Sequence, residues 1–351
     1  MEKVSIYPNN KVTQGLIRFR ELLNIEIKSV IDFVFDVGKD AQEILDGEKS
    51  GIMIMNEVDE ALEGVDTLLL NEEGTPLAHF QDFYFENELD KKWRLVVETA
   101  FNKGKKIISS HNIYSKKTLD WLSEKKIKID FPEPIEKENI EKKYFENLKN
   151  DYKTKNMTRI GIYGTRSCIG KFTTQQMLFK ELRKKRKVKT IITEPTAFLF
   201  KDTYPLYSTI PLSQYENTAY LRKLVEEEDK NETEYFIFSD QGSVVLDFGL
   251  GWYMTKLSYL KGFHPDKVII IADYRDDEVL EKMITFFKVF SNIDKPMAVL
   301  IPDRVEKEYG IYEKKTEEEM KQRKKEIKEK FNISTVEIIR DIDKVAQTIL
   351  N

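Results

Sequence analysis

Apolar positions along the chain follow two patterns, short continuous runs and longer stretches with helical spacing. In the first part of the chain, runs at residues 4–7, 27–34 and 67–70 alternate with helical patterns such as residues 14–23. Strands that are separated by helices predict a parallel sheet with helices packed on both of its faces. We therefore expect residues 1–131 to form an α/β domain with a Rossmann-like parallel sheet.

The turn after the first predicted strand argues against a dinucleotide site. This turn reads Pro8-Asn-Asn-Lys11 and contains no glycine. A dinucleotide fingerprint needs glycines at this place, because the backbone has to come close to a pyrophosphate. The first domain therefore resembles a Rossmann domain in layout only, and we do not expect it to bind NAD.

A break in the pattern separates a second domain from the first. Pro132 and Pro134 are followed by a stretch rich in lysine and glutamate, which predicts a charged linker at residues 132–156. A length of 351 residues suits two domains. In residues 157–351, apolar runs again alternate with helical patterns, and they lie at 188–193, 235–238, 268–271 and 297–301.

One segment of the second domain has the layout of a phosphate-binding loop. An apolar run ends in a glycine, a short turn follows, and a helical pattern begins at a lysine. Backbone N–H groups of such a turn and the positive end of the helix stabilise an anion, and the lysine adds an ammonium group. We therefore predict a P-loop NTPase-like α/β fold for residues 157–351. The predicted binding residues are Gly164, Thr165, Arg166, Ser167, Cys168, Ile169, Gly170, Lys171, Phe172, Thr173 and Thr174.

The loop departs from the usual P-loop spacing in two ways. Five residues separate Gly164 from Gly170, and Phe172 stands where a serine or threonine hydroxyl would hold Mg²⁺. Thr173 is therefore a candidate metal ligand, together with Asp240, only if the ligand is a magnesium nucleotide. The phenylalanine favours a phosphate ligand that is bound without Mg²⁺.

Acidic residues follow three predicted strands of the second domain, namely Glu194, Asp240 and Asp273. The carboxyl ends of parallel strands meet at the edge of the sheet where ligands bind. Asp240 is the best placed to hold a metal ion or to act as a base, although a role in capping a turn is also open. Lys171, Asp240 and Glu194 form the predicted catalytic set.

The roles of two further side chains inside the loop are less specific. Arg166 offers a second cation for a phosphate or a carboxylate. Cys168 is either a nucleophile activated by the helix end or a small residue that fills the loop, and we favour the second interpretation.

The loop resembles that of dethiobiotin synthetase, which has the same spacing between its glycines and also begins Gly-Thr. Lys171 followed by one residue and then Thr173-Thr174 is similar to a narrower two-domain family, which joins a Rossmann-like domain to a dethiobiotin-synthetase-like P-loop domain. That family includes D-glutamate N-acetyltransferases, and its Glu-Gln-Gly-Ser segment is similar to Asp240-Gln-Gly-Ser243 here. The resemblance implies acetyl-CoA or ATP as the cofactor and an amino acid or peptide as the acceptor.

The chain departs from this family at two places in its site. Glu194-Pro-Thr-Ala197 stands where the family has Gly-Gln-Thr-Gly, and Arg166 replaces the usual aspartate of the loop. The opening segment at residues 4–11 also resembles clostridial proteins that are associated with the maturation of ribosomally made peptides such as bacteriocins. These features favour an acceptor that differs from the family's own.

Composition narrows the choice of partners. The 57 basic and 61 acidic side chains nearly balance, at a net charge of −4, so a nucleic-acid partner is not expected. The start of the chain shows no export signal and no run is long enough to span a bilayer, so no membrane partner is expected. A single cysteine suits a reducing cytoplasm, where we expect the protein to reside. Assembly into a homo-oligomer is left open.

Three functions remain open on the sequence alone. The first is a group-transfer enzyme, with an acyl-CoA donor, that acts on an amino acid or a peptide. The second is an ATP-dependent ligase that activates a carboxylate. The third is a non-catalytic peptide-binding or scaffold protein of a peptide maturation system, with a degenerate loop. Phe172 in the metal position favours the first over the second.

Overall fold

The computed structural model contains two compact units. The N-terminal unit consists of Met1–Pro134 and Glu194–Lys201, and the C-terminal unit of Ile135–Thr193 and Asp202–Asn351. No described helix is both long and apolar enough to cross a membrane. The described residues are 1–71, 88–110, 116–132, 140, 144–145, 153–206, 212–245, 250–308 and 311–351.

The N-terminal unit is built on a five-stranded parallel sheet whose central strand is β1 (Glu2–Tyr7). β2 (Ile25–Ile31) and then β3 (Met53–Met55) lie on one side of it, and β4 (Thr67–Leu70) and then β5 (Lys106–Ser109) on the other. The predicted Rossmann-like layout of this unit is confirmed. The helices among its described residues are α1 (Lys11–Arg18), α2 (Ala41–Asp46), α3 (Val58–Ala61), α4 (Glu88–Asn102) and α5 (Lys116–Lys125).

Helix α4 shows why these residues fold as they do. Trp93, Val96, Val97 and Ala100 recur at helical spacing, and all four are at most 1% exposed. They belong to the same apolar core as Leu68 of β4. The periodicity of the sequence therefore translates directly into the packing of a helix on a sheet.

A short segment from the second half of the chain completes the N-terminal unit. Glu194–Lys201 contains a 3-10 turn, Pro195–Leu199, and it runs beside the residues that precede β2. The N–H of Asn24 donates to the carbonyl of Leu199 at 2.8 Å, and the N–H of Lys201 donates to the carbonyl of Leu22 at 2.9 Å. Eight residues of the later sequence are thus part of the earlier fold.

The C-terminal unit contains a seven-stranded parallel sheet, in which β6 (Thr158–Gly164) lies between β9 (Tyr235–Ser239) and β10 (Lys267–Ile271). Beyond β9 come β7 (Val188–Ile192) and β8 (Thr203–Pro205), and beyond β10 come β11 (Ala298–Ile301) and β14 (Thr335–Glu337). A separate antiparallel hairpin pairs β12 (Arg304–Glu308) with β13 (Ile311–Lys314). The predicted P-loop NTPase-like α/β fold is confirmed.

The order of these strands places a ligand crevice at the end of β6. The chain runs from β6 to β7 on one side and crosses from β9 to β10 on the other, so the strand order reverses at β6. Ligands of open parallel sheets bind at such a point, outside the carboxyl ends of the strands. Among the described residues of this unit, the helices are α6 (Lys171–Leu182), α7 (Gln214–Lys230), α8 (Leu250–Phe263), α9 (Asp277–Ser291), α10 (Glu317–Phe331) and α11 (Ile338–Leu350).

Residues of the predicted linker contribute to the core of the C-terminal unit. The division between the units falls after Pro134. Ile140 and Tyr144 are 6% and 2% exposed and pack in one apolar cluster with Phe236 of β9. The stretch that we predict as a linker therefore includes side chains that the C-terminal unit buries.

The position of segment 194–201 leads to a prediction about the stability of the N-terminal unit. Leu199 is 5% exposed, so Leu199→Ala should lower the free energy of unfolding by about 2–5 kcal/mol, the usual cost of truncating a core leucine. Hydrogen exchange should show the loss at the amides of β1 and β2. The control is Leu119→Ala on α5, where the side chain is 51% exposed and the cost should stay below about 1 kcal/mol. Faster exchange in β6 and β9 instead would contradict the assignment of this segment to the N-terminal unit.

Candidate phosphate-binding site

The side chain of Lys171 lies across the turn between β6 and α6. It is the first residue of α6 and only 7% exposed, and its Nζ donates to the carbonyl oxygen of Arg166 at 2.7 Å. A buried ammonium needs a hydrogen-bond acceptor, and this carbonyl supplies one without adding a negative charge. The lysine is therefore held over the middle of the loop.

The side chain of Lys171 passes so close to residue 164 that only a glycine fits there. A Cβ atom at residue 164 would lie 3.0 Å from Cδ of Lys171 and 2.9 Å from Cδ1 of Ile169. Both distances are shorter than ordinary contacts between carbon atoms. The absence of a side chain at the end of β6 thus leaves room for the stem of Lys171.

Two residues of the turn have left-handed backbone conformations. Gly170 has φ +100° and precedes α6 without offering a side chain to cap it, and Cys168 has φ +61° and is exposed. The N–H groups of the first turn of α6 consequently meet no capping side chain from residue 170, and such groups bind anions well. Ser167 is also exposed, whereas Ile169 is buried.

A carboxylate anchors the first half of the loop. Asp276, just before α9, accepts a hydrogen bond from Oγ1 of Thr165 at 2.6 Å and from Nε of Arg166 at 2.8 Å, and it also contacts Nη2 of Arg166. A second carboxylate, that of Asp273, lies 3.6 Å from Nε of Arg166. The guanidinium that we predict as a second cation for the ligand is thus engaged by two acids, although 39% of its side chain is exposed.

Asp240 lies in a buried ion pair. It follows β9, where Ser239 is level with Ile162 of β6, and its Oδ1 lies 2.6 Å from Nζ of Lys256. Both side chains are 2% exposed, and the Gln241 carbonyl also accepts from Lys256. Burial raises the pKa of the Asp240 carboxyl, and the charges of Lys256 and Lys171 act in the opposite direction. The predicted metal ligand or base is therefore paired with a lysine of α8.

The three residues that follow Lys171 differ in their burial. Phe172 and Thr173 are half-buried, while Thr174 is fully buried and its Oγ1 has no hydrogen-bond partner among the described residues. The part of the chain that the structure describes contains no group of three or more His, Cys, Asp or Glu residues suited to a metal ion.

Glu194 falls in a different unit from Lys171 and Asp240. It directly follows Thr193 in the chain, but it is the first residue of segment 194–201, which belongs to the N-terminal unit. There it precedes the 3-10 turn, and its side chain makes no capping hydrogen bond. Of the predicted catalytic set, the C-terminal unit brings together Lys171 and Asp240.

Two residues of the site were missed by reasoning from the sequence. Lys256 reaches Asp240 from sixteen positions further along the chain, and Asp276 holds Thr165 and Arg166 from more than a hundred positions away. Asp276 stands only three residues after Asp273, so the strand end that drew attention to Asp273 could have indicated it. Lys256 sits in an apolar helix without any motif, and only the fold reveals its partner.

The fold and the loop together define a P-loop domain on a parallel α/β sheet. Residues 147–346 match the family described as a domain of unknown function (DUF1611_C) P-loop domain. The chain belongs to this DUF1611 family. A search of curated protein sequences found no match.

Comparison with solved structures supports the fold. A DUF1611 family protein from Anabaena variabilis is 14% identical, with a TM-score of 0.69 over 100% of both chains. A plasmid partition protein from Borrelia burgdorferi has a TM-score of 0.39 and 16% identity, over 56% of this chain and 97% of its own. A nucleotide-binding protein from Archaeoglobus fulgidus in complex with ADP has a TM-score of 0.36 and 14% identity, over 58% and 90%. At these identities the likeness concerns the fold alone.

The anchoring of the loop can be tested through stability. Asp276→Ala removes the acceptor of a buried threonine hydroxyl and of a guanidinium. The free energy of unfolding should therefore fall by roughly 1.5–3 kcal/mol. Urea denaturation of the two proteins measures this difference. The matched control is Asp294→Ala, because this aspartate is 85% exposed in its pair with Lys288 and should contribute less than about 1 kcal/mol. Equal effects of the two substitutions would show that Asp276 does not anchor the loop.

Proposed function

We propose that the C-terminal unit binds a phosphate-bearing ligand at residues 164–174 and that the protein is a group-transfer enzyme. The observation that carries the proposal is the placement of Lys171, a buried ammonium held over a glycine-framed turn by a carbonyl oxygen 2.7 Å away. A phosphate group approaching this turn would replace that carbonyl as the acceptor. Charge-assisted hydrogen bonds to phosphate are stronger than those to a neutral carbonyl.

The surroundings of the loop support an anionic ligand. The first turn of α6 begins without a capping side chain, and its helix dipole favours negative charge at this end. Arg166 keeps part of its side chain exposed beside the same turn. Backbone groups and cations thus converge where β6 ends at the reversal of the strand order.

The ligand that we propose is coenzyme A in acylated form or a nucleotide, since both carry a pyrophosphate. With acetyl-CoA, the reaction would join the acyl carbon to the nitrogen of an amine, break the bond to sulfur, and leave the amine proton with the thiol. Asp240, next to the loop, is the candidate for positioning or accepting a proton. The acceptor would be an amino acid or a peptide, including a ribosomally made, bacteriocin-like peptide under maturation. This choice rests on the resemblance of the loop and of the opening segment.

The two other functions remain as outcomes of experiment. An ATP-dependent ligase would use the same loop for a magnesium nucleotide. A scaffold protein of a peptide maturation system would keep the loop without needing its lysine. Function that survives the loss of Lys171 would favour the scaffold.

The proposal predicts that Lys171→Ala weakens binding of phosphate ligands without unfolding the protein. Loss of one hydrogen bond from a charged group costs about 1.5–3 kcal/mol, so the dissociation constant should rise roughly tenfold to a hundredfold. Calorimetry with ADP and with acetyl-CoA measures this dissociation constant. Lys180→Ala is the control, since this lysine lies on the same helix and is exposed. If the better ligand binds both variants as well as the unaltered protein, the loop is not a phosphate site.

A further inference from the structure

P-loop domains that use a magnesium nucleotide hold the metal with two protein groups. One is a serine or threonine hydroxyl directly after the lysine of the loop, and the other is an aspartate at the end of a strand. Here the residue after Lys171 is Phe172, which has no oxygen in its side chain. The first of the two groups is therefore missing from its usual position.

The second group is engaged through its Oδ1 by a cation of the protein itself, whereas its Oδ2 has no hydrogen-bond partner among the described residues. Nζ of Lys256 lies 2.6 Å from Oδ1 of Asp240, with both side chains 2% exposed, and it also contacts the carbonyl of Gln241. Mg²⁺ demands oxygen ligands in a near-octahedral arrangement. To reach Asp240, it would have to approach a buried ammonium, and two like charges at such a distance repel strongly. The ammonium of Lys256 therefore opposes a magnesium ion at Asp240.

The charges that remain suit an anion. Lys171 and Lys256 both act on the carboxyl of Asp240, so two ammonium groups and one carboxylate share this corner of the site. Both ammonium groups are held in place before any ligand arrives. In water-poor surroundings such a charge stabilises a phosphate in the way that a bound metal ion otherwise does.

We propose that Lys256 takes the electrostatic place of Mg²⁺, so that the loop binds the phosphates of its ligand without a divalent cation. This inference rests on the proposed function of the loop and narrows it. A ligand that is bound in this way need not arrive as a magnesium complex. It belongs to the class of pyrophosphate-bearing carriers, such as an acyl-CoA, whose phosphates serve as a handle while chemistry takes place elsewhere on the molecule.

The experiment measures binding of ADP and of CoA by calorimetry, in EDTA and in millimolar Mg²⁺. The unaltered protein should show dissociation constants that differ by less than about threefold between the two conditions. In Lys256→Met, binding in EDTA should weaken by at least about tenfold, and Mg²⁺ should restore much of it, because Asp240 is then open to the metal. Lys256→Arg, which keeps the charge, should remain independent of Mg²⁺.

Two further variants make the interpretation specific. In the double variant Lys256→Met with Asp240→Asn, binding should be weak in both conditions, since no carboxylate remains to hold the metal. Lys261→Met is the control, because this lysine is on the same helix and exposed. Circular dichroism reports whether each variant is folded. If Lys256→Met does not fold, Lys256→Gln, which also removes the charge, takes its place.

The outcomes separate the two proposals. If the unaltered protein needs Mg²⁺ for a gain of tenfold or more, or if Lys256→Met binds in EDTA as the unaltered protein does, the role of Lys256 is refuted while the phosphate site stands. If neither ADP nor CoA binds in either condition, the proposed function of the loop is refuted and the inference falls with it.

Discussion

The bond from Lys171 to a carbonyl of its own loop is the interaction on which the rest of the site depends. An ammonium that is only 7% exposed needs an acceptor, and the carbonyl of Arg166 can serve only if the loop keeps its shape. The lysine stem then passes so close to residue 164 that no side chain fits there. Asp276 fixes the two residues that follow Gly164, Thr165 and Arg166, through their side chains. Gly164, Lys171 and Asp276 thus together maintain the shape of the loop.

Charged side chains around the loop form two separate groups. Arg166 is matched by Asp276 and Asp273, and Asp240 by Lys256. The acceptor of Lys171, in contrast, is a neutral carbonyl. This bond holds the ammonium of Lys171 at the turn where β6 ends. An anion at this turn would therefore meet cations whose positions are already fixed by neighbouring groups.

Local patterns in the sequence were sufficient for the fold and for the loop. Strand and helix periodicities predicted both parallel sheets, and Gly164, Gly170 and Lys171 predicted the turn, because each of these features depends on near neighbours in the chain. Lys256 and Asp276 could not be predicted in the same way, because their partners are brought to them by the order of strands. The same reason applies to Glu194, whose place in the N-terminal unit depends on contacts with residues that precede β2.

The eight residues from Glu194 to Lys201 also set the order of events during synthesis. The N-terminal sheet is complete in sequence once β5 has been made, yet the backbone partners of Leu22 and Asn24 are encoded beyond the phosphate loop. A nascent chain therefore has to hold its first unit unfinished while β6, α6 and β7 are translated, a delay on the order of several seconds. During that time the backbone groups of Leu22 and Asn24 that segment 194–201 later pairs are without these partners, so the first unit reaches its full set of backbone hydrogen bonds only after that segment has been made.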